Sequence, residues 1–176
     1  MLFRSTRSDE RGRQTIYNVL GDVGRWVFPV GRLDKDTSGL LLMTNDTRLG
    51  ERLTNPNSGI PKTYRVTLDH ELSSEDKRMM EKGMLLDGER LKPAIVNHAR
   101  QTTYDVTIVE GKNRQIRRMY ESLGYRVRRL LRTRIGKLEL GKLECGKWRY
   151  LLAQDLQLLL IPKSEIQNPK PPSCPP

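Results

Sequence analysis

Cysteine is scarce in this sequence: Cys145 and Cys174 lie far apart, the second in a proline-rich tail. Two such thiols do not make a disulfide framework, and a reducing cytoplasm is the expected compartment. Histidine is equally scarce, and His70, His98 and the cysteines show no metal-ligand spacing, so no metal is expected. No apolar run approaches the ~20 residues that span a bilayer. Met1-Leu2-Phe3 is followed at once by Arg4, Arg7, Asp9 and Glu10, which leaves no apolar stretch for a signal peptide. No Walker loop, GxGxxG or self-standing Ser-His-Asp arrangement is visible, and nothing has the pattern of a helix-turn-helix or zinc finger.

Basic charge is abundant. Across 176 residues the formal net charge is +11, which points to a nucleic acid rather than an acidic partner. The charge is concentrated: thirteen Lys or Arg between Gly111 and Arg149 face three Glu, a local net of +10. A run of charge is ordinarily a solvated face. Here arginine outnumbers lysine beside a well-patterned helix, and arginine makes planar contacts to phosphate and stacks on bases. A polyphosphate partner is therefore the stronger reading.

Taken in order, Ser5 to Arg13 reads as a loop, Gln14–Leu20 as a short helix with Ile16, Val19 and Leu20 inward, and Trp26–Val30 as a short strand. Arg48–Thr54 reads as a helix stopped by Asn55-Pro56. Pro61–Asp69 alternates, with Tyr64, Val66 and Leu68 on one side, as a half-buried strand does. Ser73 caps a helix that Gly83 ends. Met84–Val96 reads as two strands joined at Asp87-Gly88, and Thr103–Glu110 alternates again. Ile116, Met119, Tyr120 and Leu123 mark a helix over Asn113–Gly124, with Asn113 as its cap. Arg126–Leu131, Ile135–Leu140 and Trp148–Leu152 read as strands and Gln154–Leu160 as a closing helix. Residues 162–176 hold six of the ten prolines and read as a disordered tail. Without strict strand–helix alternation the fold class is α+β, with a mixed, largely antiparallel sheet.

The most distinctive stretch is Gly31-Arg32-Leu33-Asp34-Lys35-Asp36-Thr37-Ser38-Gly39, running into Leu40–Met43. The short apolar run suits a strand buried on both faces. Arg32 and Asp34 lie two apart, on one side of an extended backbone. Either Asp34 or Asp36 could serve as a carboxylate held at the edge of a core.

This stretch through Thr44-Asn45-Asp46, then Lys62-Thr63-Tyr64, then Glu110-Gly111-Lys112-Asn113-Arg114-Gln115-Ile116-Arg117-Arg118-Met119, resembles the signature segments of bacterial ribosomal pseudouridine synthases of the RsuA type. Leu130-Leu131-Arg132-Thr133-Arg134-Ile135-Gly136 resembles the segment that follows. Four matches in order make a chance likeness improbable. The resemblance covers roughly residues 5 to 161. It implies one catalytic domain over residues 1–161, with the pseudouridine synthase fold, a mixed sheet flanked by helices around a central cleft. It implies no cofactor and no metal. It also implies that Asp34 is the catalytic acid, that Tyr64 packs against the target base, and that Arg117 pairs with Asp34 as a bidentate counter-ion. Leu130 would line the same pocket, and Arg32 would be either structural or a filler of the gap left by a flipped base. Lys62, Lys112, Arg114, Arg118, Arg132 and Arg134 would contact phosphates.

The expected activity is isomerisation of a uridine in ribosomal RNA, large-subunit RNA favoured, by a monomer acting on RNA or on an assembling subunit. Small-subunit RNA and transfer RNA are the alternative substrates, and a non-catalytic RNA-binding or ribosome-assembly factor on the same fold is the alternative function. The family's usual S4 domain, and a strand with a Lys-Pro-x-Gly stretch, are not found before Ser5, so a truncated start with a missing edge strand is also expected.

Overall fold

The computed structural model describes residues 15–159. The loop expected over Ser5–Arg13, the edge strand expected to be missing and the tail over residues 162–176 lie outside them. Helix α1, Ile16–Leu20, starts from Thr15, whose backbone N–H and hydroxyl both meet the Asn18 side chain. Strand β1, Phe28–Pro29, is shorter than expected. Then come β2, Ser38–Gly39, and β3, Met43–Thr44, which pairs with β1. The apolar run between β2 and β3 is not a strand buried on both faces: Leu40 and Leu42 point into a core while Leu41 and Met43 are half-buried. Helix α2, Thr47–Thr54, is capped by the Asp46 carboxylate, which accepts from the Arg48 and Leu49 amides, and a 3-10 turn at Pro56–Ser58 follows.

Strand β4, Lys62–Leu68, and helix α3, Ser74–Lys82, fall where the sequence puts them, α3 with Ser73 and Gly83 at its ends. The Asp87-Gly88 hairpin exists but is short, joining β5, Leu85–Leu86, to β6, Glu89–Arg90. Ile95 opens a separate strand, β7, Ile95–Arg100, which hairpins into β8, Thr103–Ile108. Helix α4, Gln115–Ser122, starts two residues after Asn113, which does not cap it. Arg114 occupies that position in a left-handed conformation, φ 47°. The two strands expected before and after Thr133 are largely one: β9 runs unbroken over Val127–Ile135, followed by β10, Leu138–Glu139. Trp148–Leu152 is not a strand. It leads into α5, Ala153–Leu159, and the Leu152 amide donates to the Asp155 carboxylate at 2.8 Å.

The main sheet has the order β10-β9-β4-β8-β7 and is antiparallel along that path. β2 adds to β9 in parallel, so the sheet is mixed and the architecture α+β. Two cores pack beside it. One joins β4, β7, β8 and the first half of β9 to α3 and α4 through residues such as Val66, Val96, Val106, Met119 and Tyr120, all fully buried. The other joins the Val30–Leu42 segment and α2 to Ile135, Leu138 and Leu159. Removing this apolar surface from water is the main favourable term in folding. Among the described residues no helix is long and apolar enough to cross a membrane.

Candidate active site

The two cores leave a cleft of about 460 Å³ at their seam, lined by Tyr64, Ile108, Ile116 and Leu130 from one side and by Val30, Leu42, Leu53 and Ile135 from the other. Asp34 enters it from the segment between β1 and β2. This segment is tied at each end. The Val30 amide donates to the Leu42 carbonyl at 2.8 Å, and the Leu40 amide to the Arg132 carbonyl at 2.8 Å. Between the ties Asp34 opens a turn, its carbonyl accepting from the Thr37 amide at 2.9 Å. Gly39 makes the second tie possible. Its φ is +113°, and a Cβ there would sit 2.2 Å from the Arg132 carbonyl oxygen. Only glycine lets the chain lie this close to β9.

Asp34 is half-buried and Arg32 is exposed at the rim. Tyr64 is half-buried on β4, directly across from Arg132 on β9. Leu130, two residues earlier on β9, is buried beside it. The cleft thus brings together Arg32, Asp34, Tyr64 and Leu130, from three distant parts of the sequence.

Arg117 differs from expectation. It does not grip the Asp34 carboxylate. Its guanidinium donates to the backbone carbonyls of Val127 at 3.1 Å and Asp36 at 2.5 Å. It is 7% exposed. Burial first, and then the Arg114 charge, pull its pKa down against the opposing pull of Asp36, Glu121 and Asp34. The arginine therefore ties α4 and β9 to the turn that follows Asp34, and meets the Asp34 carboxylate only as a charge at longer range. Asp36 also has a counter-ion of its own, Arg114, at 3.7 Å.

The six cations expected at phosphates separate into two groups. Lys112, Arg114, Arg118 and Arg134 each meet an acid: Glu89, Asp36, Asp87 and Glu139 respectively. Of these, Lys112 and Arg114 line the cleft, while Arg118 and Arg134 do not. Lys62 and Arg132 line the cleft with no carboxylate at ion-pair distance among the described residues. The Arg132 side chain is almost wholly buried. Its Nε donates to the Leu40 carbonyl at 2.7 Å, and its Nη2 is buried without a partner. Among the described residues the Lys62 ammonium reaches only the Ile60 carbonyl, at 3.4 Å, and burial and then the Arg132 charge depress its pKa.

One element of the site is given no role by the sequence reading, although it heads the third signature segment. Glu110 is 6% exposed. Its carboxylate accepts from the Gln115 amide nitrogen at 2.6 Å and the Lys92 backbone at 3.1 Å, while the Gln115 oxygen accepts from the Lys112 amide at 3.1 Å. This network folds the 111–114 turn back on itself and holds Arg114 in its left-handed conformation, the kind of strain that clusters at functional sites. The signal for Glu110 was present: it continues the inward parity of Tyr104, Val106 and Ile108.

Comparison with known proteins bears on what this arrangement does. The family described as RNA pseudouridylate synthase matches residues 2–122. Over 152 residues, 84% of this chain and 61% of the relative, the sequence is 36% identical to an uncharacterized RNA pseudouridine synthase of Aquifex aeolicus (strain VF5). It is 35% identical over 161 residues, 88% of this chain and 66% of the relative, to ribosomal large subunit pseudouridine synthase B of Bacillus subtilis (strain 168). The chain thus spans less than two thirds of the length of these curated relatives. A crystal structure of a pseudouridylate synthase superimposes with a TM-score of 0.83 at 33% identity, covering 90% of this chain and 70% of that one.

Proposed function

Given that the chain belongs to the RNA pseudouridylate synthase family, we propose that it isomerises uridine to pseudouridine in ribosomal RNA, large-subunit RNA first among the candidates, and that the Asp34 carboxylate is the reacting group. The reaction breaks the N1–C1′ bond, turns the base and joins C5 to C1′. C5 gives up its proton and N1 gains one, so no oxidant or second substrate is consumed. An ionised carboxylate serves as nucleophile at C1′ or as base toward the sugar.

The observation that carries this reading is the meeting of Asp34, Tyr64 and Leu130 in one cleft whose rim and floor are basic. A uridine inside a paired strand must leave its stack to reach such a cleft. Tyr64 offers it an aromatic face, Leu130 an apolar wall, and Arg32 stands at the rim where the base leaves. Lys112 and Arg114 lie along the same rim for the RNA backbone. Arg118 and Arg134, outside the cleft, serve the flanking strand. The similarity to a large-subunit ribosomal synthase supports ribosomal RNA as the substrate class.

Release of tritium from 5-tritiated uridine tests the reading, because only isomerisation frees the C5 label. Wild-type protein is expected to release it from ribosomal RNA transcripts, and Asp34→Asn, purified and shown to be folded, is expected to release none. Turnover by folded Asp34→Asn would sink the assignment of Asp34. Tight RNA binding by wild type with no release from large-subunit, small-subunit or transfer RNA would favour a non-catalytic RNA-binding factor.

A further inference from the structure

We infer that Lys62 and Arg132 together form one anion subsite at the floor of the cleft, built to take a single phosphodiester of the bound RNA next to the nucleotide seated on Tyr64. The inference rests on the proposed RNA substrate and narrows it. It separates these two side chains from the other cations of the protein.

Four of the six cations expected at phosphates already face an acid. A cation with a carboxylate partner must give up that contact to take a phosphate, so its net gain is small. Among the described residues, Lys62 and Arg132 have no acid to give up. Removing a charge from water without a partner is costly, and a protein retains such a pair only where something else completes it. Here the Arg132 charge further disfavours the charged form of Lys62, which adds to the cost of its burial.

The geometry is prepared for an anion. Arg132 is fixed by its Nε bond to the Leu40 carbonyl, which leaves Nη2 without a partner. Lys62 extends from the start of β4, two residues before Tyr64, and Tyr64 faces Arg132 across the β4–β9 pair. A point-charge donor and a fixed guanidinium therefore flank the ring on which the base would stack. A phosphate bridging them receives charge-assisted hydrogen bonds from both. Its place beside the ring makes it the phosphate of the seated nucleotide or of its immediate neighbour. Glu110, Asp34, Lys92, Lys112 and Arg114 also line the cleft, and none of them bonds to either side chain.

The test uses the full chain and two probes, inorganic phosphate and a fluorescent single-stranded oligouridylate. At fixed ionic strength, phosphate is expected to raise the melting temperature of wild type relative to chloride, and not that of Lys62→Met. Lys62→Met is expected to bind the oligouridylate roughly ten- to a hundredfold more weakly and to lower the slope of log K against log salt by about one. Lys77→Gln, which removes a charge from α3 together with its ion pair to Glu81, is the reference for loss of net charge away from the cleft. Lys62→Met leaves the Arg132–Leu40 bond intact and removes a disfavoured charge, so it is expected to melt no lower than wild type in chloride. Arg132→Lys provides a second arm.

Equal weakening by Lys77→Gln and Lys62→Met would overturn the inference, as would the absence of any phosphate effect on wild type. The two proposals fail separately. Phosphate protection lost in Lys62→Met, with no tritium release by wild type, leaves the subsite standing and removes the isomerase. Tritium release by wild type, with unchanged oligouridylate binding in both variants, does the reverse.

Discussion

Replacing Gly39 by alanine tests how the segment carrying Asp34 is held. The new methyl would lie 2.2 Å from the Arg132 carbonyl oxygen and 2.6 Å from its nitrogen. Both are backbone atoms, so no rotamer change relieves the overlap, and the strands must part by about 1 Å to restore van der Waals contact. The φ of +113° adds strain of about 1–3 kcal/mol for any residue with a Cβ. Parting the strands also weakens the Leu40 N–H bond to the Arg132 carbonyl and the Arg132 Nε bond to the Leu40 carbonyl. The first is worth roughly 1 kcal/mol and the second, from a charged donor, roughly 1.5–3. Because the strands relax only in part, the expected destabilisation is about 3–5 kcal/mol, or roughly 6–20 °C in Tm for a chain of this size. Gly88→Ala is the reference: its φ is also positive, at +79°, but nothing lies within 4 Å of the added carbon, so only about 1 kcal/mol is expected. Thermal unfolding followed by circular dichroism gives the stabilities, and tritium release below the melting range gives activity. Gly39→Ala is expected to lose most of its activity while still folded, since the turn carrying Asp34 is displaced. A Gly39→Ala protein as stable as Gly88→Ala, with normal turnover, would refute the account of how Asp34 is positioned.

Two further outcomes are expected. Tyr64→Phe keeps an aromatic face in the cleft and should bind RNA within a fewfold of wild type, whereas Tyr64→Ala should lose roughly 1–3 kcal/mol of binding. Equal losses in fluorescence anisotropy would remove the stacking role. The Arg149 guanidinium, meeting both oxygens of Asp155 at 2.6 and 3.0 Å, and the Leu152 amide hold the Asp155 carboxyl at about 2. A carboxyl whose folded value is depressed contributes stability above its unfolded value and loses it as the pH falls toward the folded one. Acid unfolding curves of wild type should therefore fall more steeply between pH 4 and 2 than those of Asp155→Asn, and identical curves would exclude the coupling.

Much of the fold was legible because its signals are local. The Ser73 cap and terminal Gly83 delimit α3, and the alternation of Tyr104, Val106 and Ile108 identifies β8 and its inward face. Arg132-Thr133-Arg134 interrupts the apolar pattern of β9, yet the strand stays paired with β4 from Val127 to Ile135 across two register shifts, opposite Thr63/Tyr64 and Thr67/Leu68. Of these polar residues Arg132 faces the cleft, while Arg134 is exposed and meets Glu139 on β10. Trp148–Leu152 alternates like a strand, but its backbone is drawn to Asp155 rather than to a neighbour. Asp34, Tyr64 and Leu130 were legible as a group through the motifs that carry them. The role of Arg117 was not, because a motif names a residue without saying which atoms of its neighbour it meets. The carbonyl of Asp36, eighty-one positions away, could not be inferred from spacing.

β9 contributes Val127 and Leu130 to one core and Ile135 to the other, and it also pairs with β2, β4 and β10. The two walls of the cleft therefore share a single spine, and neither swings away unless the hydrogen-bonded ladder of that spine is broken. The strand links the two cores, so a shift of either wall of the cleft has to be accommodated in its pairing with β2, β4 or β10. On the proposed function, a uridine held in structured RNA would leave its stack to reach a cleft whose two walls share this strand.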